Sequence, residues 1–264
     1  PLMLAPAMNQ QMWKNPATTA NIKCLVKRGA HIVGPSAGQQ ACGDVGLGRM
    51  EEPSFIADAA AAMFETGQLA GKRVVVTAGP TREALDPVRY ISNNSSGKMG
   101  YALARAAADA GAITTLVSGP VSLMPPDHVT VFEVQSAEHM LGQCLELLPE
   151  CDIFIACAAV ADYRPATLEN QKIKKELQEM TLQLVRTPDI VSAVAASEHR
   201  PYTVGFAAES NNLLNYARDK MQHKGLDMII ANDISDQSIG FNSEDNEVTV
   251  LWRDGQQLLK RANK

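Results

Sequence analysis

One stretch of the chain, residues 74–105, constrains the possible fold more than any other. It begins with a β-branched run at 74–77, which is typical of a buried parallel strand. It ends in an Ala/Leu-rich segment that predicts a helix from about 98 to 110. The loop between them is rich in Gly, Pro, Asn and Ser, and residues 93–96 (Asn-Asn-Ser-Ser) are all good N-cap candidates. A strand, a small-residue loop and a helix are the opening of a Rossmann-like βαβ unit.

The start of this helix has the composition of a phosphate-binding site. Gly97 lets the backbone approach a ligand closely, and Lys98 places a cation beside the free N–H groups and the positive end of the helix dipole. An ordinary βα loop with a good cap has the same composition, because the loop contains neither GxGxxG nor GxxxxGK[ST]. The local chemistry leaves both interpretations open.

The chain beyond this unit keeps alternating between strand and helix patterns. Strands are predicted at 113–117, 129–134, 151–160, 202–206 and 228–231, helices at 136–148, 189–196 and 211–223, and a closing hairpin around 248–255. This alternation predicts an α/β fold with a doubly wound, mostly parallel, Rossmann-like sheet that binds ligands at the carboxyl ends of its strands. We place the start of this domain at residue 72, after Gly71.

Charge and cysteine content narrow the class of protein. A net charge of −5 argues against a general binder of nucleic acid or anionic membranes. No apolar run approaches the roughly 20 residues that a membrane-spanning helix needs. The five cysteines contain no CxxC pair and no zinc-finger spacing, so we expect reduced thiols in a cytoplasmic protein with no nucleic-acid or membrane partner.

Small and polar residues follow the predicted strands, where a ligand is expected. Small residues let a nucleotide approach the backbone, a carboxylate can bind a hydroxyl or a cation-bound water, and a helix start offers N–H groups to an anion. An aromatic ring there can stack on a base or belong to the core. The candidates are Ala156, Cys157, Ala158, Asp162, Pro188, Asp189, Ile190, Val191 and Phe206.

Two groups of lysines are further candidates. Lys172 lies in the polar run 171–175 (Gln-Lys-Ile-Lys-Lys), which on composition alone is typical of a solvated loop. Lys220 and Lys224 are four residues apart and therefore share one face of the predicted helix 211–223. By themselves they would be surface lysines.

The residues of the loop resemble a known enzyme family. Residues 79–83 (Gly-Pro-Thr-Arg-Glu), 86–93 (Asp-Pro-Val-Arg-Tyr-Ile-Ser-Asn) and 95–100 (Ser-Ser-Gly-Lys-Met-Gly) resemble the signature of bacterial phosphopantothenoylcysteine synthetase. That enzyme is usually the C-terminal half of a bifunctional coenzyme A biosynthesis protein, whose N-terminal half is a flavin-dependent phosphopantothenoylcysteine decarboxylase. The resemblance covers almost all of residues 72–264.

The resemblance implies an activity and a set of partners. It implies CTP-dependent ligation of 4′-phosphopantothenate to L-cysteine through an acyl-cytidylate, with Mg²⁺ bridging the phosphates. It also implies a homodimer of this domain and a larger homo-oligomer of the intact protein. The preference for CTP over ATP rests on the resemblance alone.

The resemblance also implies roles for single residues. It places Lys172 at the transferring phosphate, Asn93 and Arg89 on the acyl-phosphate side, and Gly97, Lys98 and Met99 at the phosphate-binding helix start. It places the nucleotide among Ala156, Cys157, Ala158, Asp162, Pro188, Asp189, Ile190, Val191, Phe206, Lys220 and Lys224. The metal ligands stay open, with Asp162 as one candidate. Residues 232–234 and 240–243 match the family without suggesting a role.

Residues 1–71 resemble the last third of a flavodoxin-like decarboxylase domain. Pro6-Ala7-Met8-Asn9 with Met12-Trp13 matches its PxMNxxMW motif, in which the Asn binds the substrate carboxylate, so Asn9 takes that role. Residues 41–50 match its substrate-covering flap, with Cys42 as the proton donor. On composition alone, the glycine-rich run 38–48 predicts a mobile surface loop, and a lone Cys is usually inert packing.

The flavin-binding strands and the catalytic His of that family precede the matched motif and are absent from this sequence. We therefore expect FMN in the intact decarboxylase domain and not in this chain, which by itself should not decarboxylate.

Two other functions are compatible with the predicted fold. A nicotinamide-binding oxidoreductase shares the βαβ opening, but residues 79–81 do not form GxGxxG and no acid clearly follows the second strand at the ribose position. A nucleotide-sensing module without catalysis is the other. The nucleotide that stabilises the protein would separate these functions.

Overall fold

The structure is a computed structural model that describes residues 2–40, 43–64, 67–174, 179–209, 213–233 and 245–263. The chain divides into two compact units, Pro1–Thr66 and Gly67–Lys264. The first unit contains β1 (Leu2–Leu4), α1 (Gln10–Lys14), α2 (Pro16–Lys27), β2 (Ala30–Ile32), β3 (Ser36–Gln39), β4 (Val45–Arg49) and α3 (Pro53–Ala62). Strands β1 and β2 pair in parallel, joined by the two helices α1 and α2.

The strand pair β3–β4 corrects the mobile loop predicted at 38–48. The two strands are antiparallel, with Gly38 opposite Gly46 and Gln39 opposite Val45. Backbone bonds hold this hairpin, and the amide N–H of Met8 donates to the carbonyl of Gly48 at 2.9 Å. A side chain at Gly46 would collide with Gln10, so the glycines permit close packing here. The composition was misleading because backbone contacts, not apolar anchors, stabilise this segment.

The helix starts of the first unit follow simple capping rules. Asn15 caps α2, as its Oδ1 accepts from the N–H of Ala17 at 2.8 Å, and Pro16 takes the first helical position, where its missing N–H needs no partner. Helix α3 begins differently. Glu52 is its N-cap residue and makes no side-chain cap bond, and Pro53 again takes the first helical position, where its missing N–H needs no partner.

The second unit contains most of the regular structure. Its strands are β5 (Arg73–Ala78), β6 (Arg82–Ala84), β7 (Tyr90–Ser92), β8 (Ile113–Ser118), β9 (Val129–Glu133), β10 (Ile153–Ala156), β11 (Tyr163–Pro165), β12 (Leu184–Arg186), β13 (Tyr202–Glu209), β14 (Met228–Asp233), β15 (Asp245–Trp252) and β16 (Gly255–Asn263). Its helices are α4 (Lys98–Asp109), α5 (Ala137–Leu147), α6 (Ile190–Ala195) and α7 (Leu213–His223).

Eight of these strands form one sheet in the order β9-β8-β5-β10-β13-β14-β15-β16 among the described residues. The first six run parallel, and β15 and β16 are antiparallel additions at one edge. The chain moves outward from β5 to β9 and then crosses back to β10. This confirms the predicted α/β fold with a doubly wound, mostly parallel sheet. The reversal between β5 and β10 is the position at which such sheets bind ligands.

Strand β5 shows why its sequence is an uninterrupted apolar run. Val74 and Val76 pack on one face of the sheet with Ala104 of α4, and Val75 packs on the other face with Phe154 and helix α5. Successive side chains of a strand point to opposite faces of the sheet. Because both faces are covered here, residues 74–78 of the strand are all buried, and apolar residues do not alternate with polar ones. A third cluster joins α7 to β14 and β15.

Two short antiparallel pairs lie beyond the carboxyl ends of the central strands. Strands β6 and β7 follow β5, strands β11 and β12 follow β10, and β11 packs against β6. Neither pair was predicted, because three residues are too few to show a strand period. Residues 67–71 belong to this unit, where the amide of Leu69 donates to the carbonyl of Ala110 at 2.9 Å. In the part of the chain that the structure describes, no helix combines the length and apolar character of a membrane span.

Candidate functional site

A cavity of about 490 Å³ opens at the carboxyl ends of β5, β10 and β13. The strand ends form its floor, and segments 158–163 and 186–191 with helix α7 form its walls. The cavity brings together ten residues proposed from the sequence: Ala156, Ala158, Asp162, Pro188, Asp189, Ile190, Val191, Phe206, Lys220 and Lys224. Their common location agrees with the site position that a doubly wound sheet predicts.

Two buried threonines shape the floor of the cavity. Thr77 Oγ1 accepts hydrogen bonds from the backbone N–H groups of Cys157 at 3.1 Å and Ala158 at 3.2 Å. Thr81 Oγ1 accepts from the N–H of Ala161 at 3.0 Å. These bonds fix the chain after β10 beside the chain after β5. No such role was predicted for either threonine, since Thr77 belongs to a β-branched strand run and Thr81 was noted only as part of the loop that resembles the synthetase signature.

Cys157 does not line the cavity, although the sequence placed it there with its neighbours. The backbone is extended beyond β10, so side chains alternate in direction, and Ala156, Ala158 and Val160 line the cavity. The backbone N–H of Cys157 is bound to Thr77. Cys157 therefore lies outside the cavity lining, and its contact with a nucleotide stays a prediction.

Asp189 gives the cavity wall a negative charge. It caps α6, with Oδ1 accepting from the N–H of Ser192 at 3.1 Å, and its Oδ2 lies 3.0 Å from Nζ of Lys224. Burial raises the pKa of this carboxyl, but the hydrogen bonds from Lys224 and Ser192 outweigh burial and leave the pKa below its usual value. The sequence predicted free N–H groups for an anion at this helix start. An ionised carboxylate occupies the position instead and suits a hydroxyl donor.

Three cations line the cavity. Lys220 and Lys224 both reach it from α7, in line with the shared helix face that their spacing predicted, and Nζ of Lys220 donates to the carbonyl of Phe206 at 2.8 Å. Arg186 was not predicted. It lies at the end of β12, opposite Tyr163 of β11, and its side chain makes no hydrogen bond or ion pair with the described residues. Sequence reasoning missed Arg186 and Tyr163 because it missed the β11–β12 pair that carries them.

The helix start at 97–99 lies outside the set of residues that line this cavity. Gly97 is the N-cap of α4 with φ of 77°, a left-handed conformation that favours glycine, and no side chain caps the helix. This corrects the capping role suggested for residues 93–96. A Cβ at Gly97 would lie 2.8 Å from Cγ1 of Val121, so glycine is also required sterically.

Asn93 connects the β6–β7 region with the cavity wall. Its Nδ2 donates to the carbonyl of Val160 at 2.9 Å, and Val160 lines the cavity. The remaining surface of Asn93 is exposed. Asn93 thus contacts a residue that lines the cavity but does not line the cavity itself. Its role at the acyl phosphate stays a prediction.

Arg89 and Lys172 also lie outside the cavity lining. Arg89 forms an ion pair with Asp86 and donates from Nη2 to the carbonyl of Ile173 at 2.9 Å. The Arg89 guanidinium and backbone N–H donors hold the pKa of Asp86 well below its usual range, although burial opposes this shift. Lys172 is exposed beside Ile173, and Lys175 lies outside the described residues.

The decarboxylase-like motif of the first unit is partly described. Asn9 caps α1, with Oδ1 accepting from the N–H of Gln11 at 2.8 Å, and its Nδ2 donates to Oδ2 of Asp44 at 3.1 Å. These bonds connect the PxMNxxMW segment to the β3–β4 hairpin. Cys42, the predicted proton donor, lies outside the described residues.

The described residues do not form a metal site from protein ligands alone. They contain no group of three or more His, Cys, Asp or Glu side chains arranged to hold a metal ion. Asp162 is exposed at the cavity and stands apart from such a group.

Comparison with known proteins gives consistent results along the sequence. Residues 69–264 match the family described as DNA/pantothenate metabolism flavoprotein C-terminal domain, and residues 1–65 match the family described as flavoprotein. The chain is 53% identical over 267 residues to the coenzyme A biosynthesis bifunctional protein CoaBC of Vibrio vulnificus strain CMCP6, with all of the chain and 67% of the relative covered. The protein of that name from Escherichia coli K12 is 51% identical over 269 residues, with 100% and 66% covered.

The fold has a similar solved counterpart. The crystal structure of the C-terminal domain of a coenzyme A biosynthesis bifunctional protein CoaBC matches with a TM-score of 0.62 and 41% sequence identity. The match covers 73% of this chain and 88% of that domain.

Proposed function

Because the chain belongs to the family of coenzyme A biosynthesis bifunctional proteins, we propose that its second unit ligates 4′-phosphopantothenate to L-cysteine with CTP. The observation that carries this proposal is the cavity at the strand reversal. Small residues, two carboxylates and three cations line it, directly beside the loop that resembles the synthetase signature. A nucleoside triphosphate needs that combination of close backbone approach, hydroxyl acceptors and cations.

The cavity chemistry suggests how a nucleotide binds. Ala156 and Ala158 leave room beside the strand ends, and the ring of Phe206 offers a face for stacking. The ionised Asp189 accepts from a ribose hydroxyl, since a carboxylate has no donor to offer. Arg186 and Lys220 offset the charge of the triphosphate. Arg186 is thereby added to the nucleotide-binding residues that were assigned from the resemblance.

The reaction has two half-reactions. In the first, the carboxylate of phosphopantothenate attacks the α-phosphorus of CTP, pyrophosphate leaves and an acyl-cytidylate forms. Lys172 stabilises the charge that develops on the transferring phosphate. In the second, the amine of cysteine attacks the acyl carbon, CMP leaves and the amine loses a proton. Asn93 donates to an acyl-phosphate oxygen, and the uncapped start of α4 at Gly97, Lys98 and Met99 binds the phosphate end.

Mg²⁺ and FMN are also part of the proposal, although neither is assigned a step in the two half-reactions. Mg²⁺, when bound, would supply positive charge to the triphosphate, and the exposed carboxylate of Asp162 would be the protein group available to hold it. FMN and decarboxylation to 4′-phosphopantetheine belong to the intact bifunctional protein. Flavin binding needs a buried apolar pocket, whereas few apolar residues, among them Ala30 and Pro35, are buried in the described part of the first unit, so the residues present do not fit a flavin.

The homodimer implied by the resemblance has a candidate surface. Tyr163, Leu184 and Val185 of the β11–β12 pair are exposed apolar side chains near the cavity. Such a strand pair gains from burial against a second copy. A dimer formed here would cover one side of the site.

Thermal stabilisation by nucleotides tests the proposed ligand. With Mg²⁺ present and each ligand at about a hundred times its dissociation constant, CTP should raise the melting temperature by roughly 5 °C, because such binding stabilises the native state by about 2.7 kcal/mol. ATP should raise it less and NADH not at all. Lys224→Gln should reduce the CTP shift, whereas Lys72→Gln, a substitution at the other end of β5, should leave it unchanged.

The outcomes also separate the rival functions. A dominant shift with NADH would contradict the proposal and favour an oxidoreductase. A CTP shift without pyrophosphate release in the presence of phosphopantothenate would favour a sensing module.

A further inference from the structure

Asp86 is a fully buried carboxylate in the turn between β6 and β7. Its side chain has no exposed area, and its Oδ1 accepts from the backbone N–H groups of Val88 and Arg89, both at 2.8 Å. The N–H of Leu85 donates to the carbonyl of Arg89 at 2.9 Å. These bonds already close the turn. The second carboxylate oxygen, Oδ2, is therefore available for a different purpose.

That second oxygen binds a distant part of the chain. Oδ2 accepts from the N–H of Ile173 at 3.1 Å and from Nε of Arg89 at 2.9 Å. Nη2 of Arg89 bridges Oδ2 and the carbonyl of Ile173, the latter at 2.9 Å. Both backbone polar groups of Ile173 are thus held by one ion pair from a turn more than 80 residues away in sequence.

Ile173 lies between two exposed lysines. Lys172 and Lys174 belong to a segment without regular secondary structure, and neither makes a hydrogen bond or ion pair with the described residues. Immobilising such a chain costs roughly 1–2 kcal/mol of backbone entropy per residue. The Asp86–Arg89 pair meets this cost during folding, before any substrate binds.

A purely local role does not explain this arrangement. A turn that needed only closure would be complete with the two bonds to Oδ1. The bonds to Ile173 order the lysine segment and contribute nothing to the turn itself. Hydrogen bonds between a carboxylate and a guanidinium are also stronger than those between neutral groups, because both partners carry a charge.

We propose that Asp86 is a positioning residue, which acts with Arg89 on the backbone of Ile173 to hold Lys172 at the transferring phosphate. This rests on the proposed function for the role of Lys172. Asp86 touches no substrate. Its effect on catalysis passes entirely through the lysine segment.

The test compares two carboxylates. Asp86→Asn keeps the size but replaces one of the two carboxylate oxygens with an NH₂ group, which cannot accept a hydrogen bond from Ile173, and it removes the charge that pairs with Arg89. Asp152→Asn is the matched control, since Asp152 also accepts from a backbone N–H, that of Arg73 at 2.8 Å, and pairs with Lys72 at 3.0 Å at the opposite end of β5. Hydrogen exchange of the peptide 168–174 reports the position of the segment. Pyrophosphate release from phosphopantothenate and CTP reports the reaction.

We expect faster exchange at 168–174 in Asp86→Asn and about tenfold lower kcat, with the KM for CTP changed less than kcat. Lys172→Gln should cost much less in the Asp86→Asn background than in the parent, because the lysine is already displaced. A merely structural role predicts additive effects. Asp152→Asn should change neither exchange at 168–174 nor kcat.

Several results would overturn the proposal. Parental exchange or parental kcat in Asp86→Asn, or full additivity with Lys172→Gln, would each refute the positioning role. A parent chain that releases no pyrophosphate would refute the proposed function instead, while the exchange measurement would still decide whether Asp86 holds Ile173. If Asp86→Asn does not fold, Arg89→Lys replaces it with hydrogen exchange at 168–174 as the deciding readout, because the resemblance also places Arg89 at the acyl phosphate. Lysine keeps the charge but lacks the fork that binds both partners, so parental exchange in this variant would refute the positioning role.

Discussion

At the scale of single residues, the site depends on polar groups whose partners are far away in sequence. Thr77 and Thr81 each satisfy backbone N–H groups of the chain after β10, 80 residues further on. A buried N–H left without a partner costs roughly 1–3 kcal/mol, so these hydroxyls hold the loop firmly. Asp86 performs the same task for the lysine segment. None of these three residues carries a role that a single sequence reveals.

Asn93 carries the prediction at this scale. Asn93→Asp replaces a neutral donor with a carboxylate, which loses the bond to the carbonyl of Val160 and repels an acyl phosphate. The variant should still form the acyl-cytidylate from phosphopantothenate and CTP, but should pass it poorly to cysteine. Rapid-quench analysis of the nucleotide products separates the two half-reactions.

The neighbouring Asn94→Asp serves as the control for that substitution, since Asn94 is equally exposed. It should transfer the acyl group at the parental rate. Parental turnover with cysteine in Asn93→Asp, or a larger defect in Asn94→Asp, would show that the placement of Asn93 is wrong.

At the scale of elements, the packing of α4 on β5 positions the phosphate-binding loop. A Cβ added at Gly100 would lie 2.5 Å from the Cβ of Ala78 and 3.1 Å from the carbonyl oxygen of Thr77. The missing side chain therefore lets the helix approach the strand. This contact keeps Gly97 against Gly79, whose Cα would lie 3.5 Å from a Cβ at position 97.

Gly100→Ala should destabilise the second unit by about 1–3 kcal/mol, because the added methyl overpacks a strand that cannot move. Gly142→Ala provides the matched comparison. Gly142 lies within α5 with nothing within 4 Å of an added Cβ, so alanine there should stabilise by roughly 0.5–1 kcal/mol. Urea unfolding followed by circular dichroism measures both, and equal effects would contradict this account of the α4–β5 contact.

The elements also show how far a sequence can be interpreted. The long periodic segments were predicted with bounds close to those observed, including α4, α5 and the β15–β16 hairpin. The pairs β3–β4, β6–β7 and β11–β12 were not. Their strands have three to five residues, and backbone pairing or distant side chains stabilise them, so the sequence contains no period to detect.

At the scale of the whole molecule, strand order determines where function resides. The reversal between β5 and β10 creates the opening that the cavity fills, and it follows from the alternation of strands and helices alone. Ten residues that line the cavity were proposed from the sequence. Most of them follow strands or open a helix, whereas Lys220 and Lys224 share a helix face and were placed at the nucleotide by the resemblance alone. Arg186, Tyr163 and the threonines could not be, since their positions depend on the tertiary path of the chain. The preference for CTP over ATP could not be predicted from the chemistry of the residues either.

The central claim is that the second unit activates phosphopantothenate with CTP, using Lys172 at the transferring phosphate. Release of pyrophosphate from CTP in the presence and absence of phosphopantothenate tests it directly. We predict release that requires phosphopantothenate, and a rate in Lys172→Gln that is lower by about a hundredfold, the effect typical of removing one such donor, with Lys72→Gln at the parental rate. No release from the parent with CTP, or a parental rate in Lys172→Gln, would contradict the account.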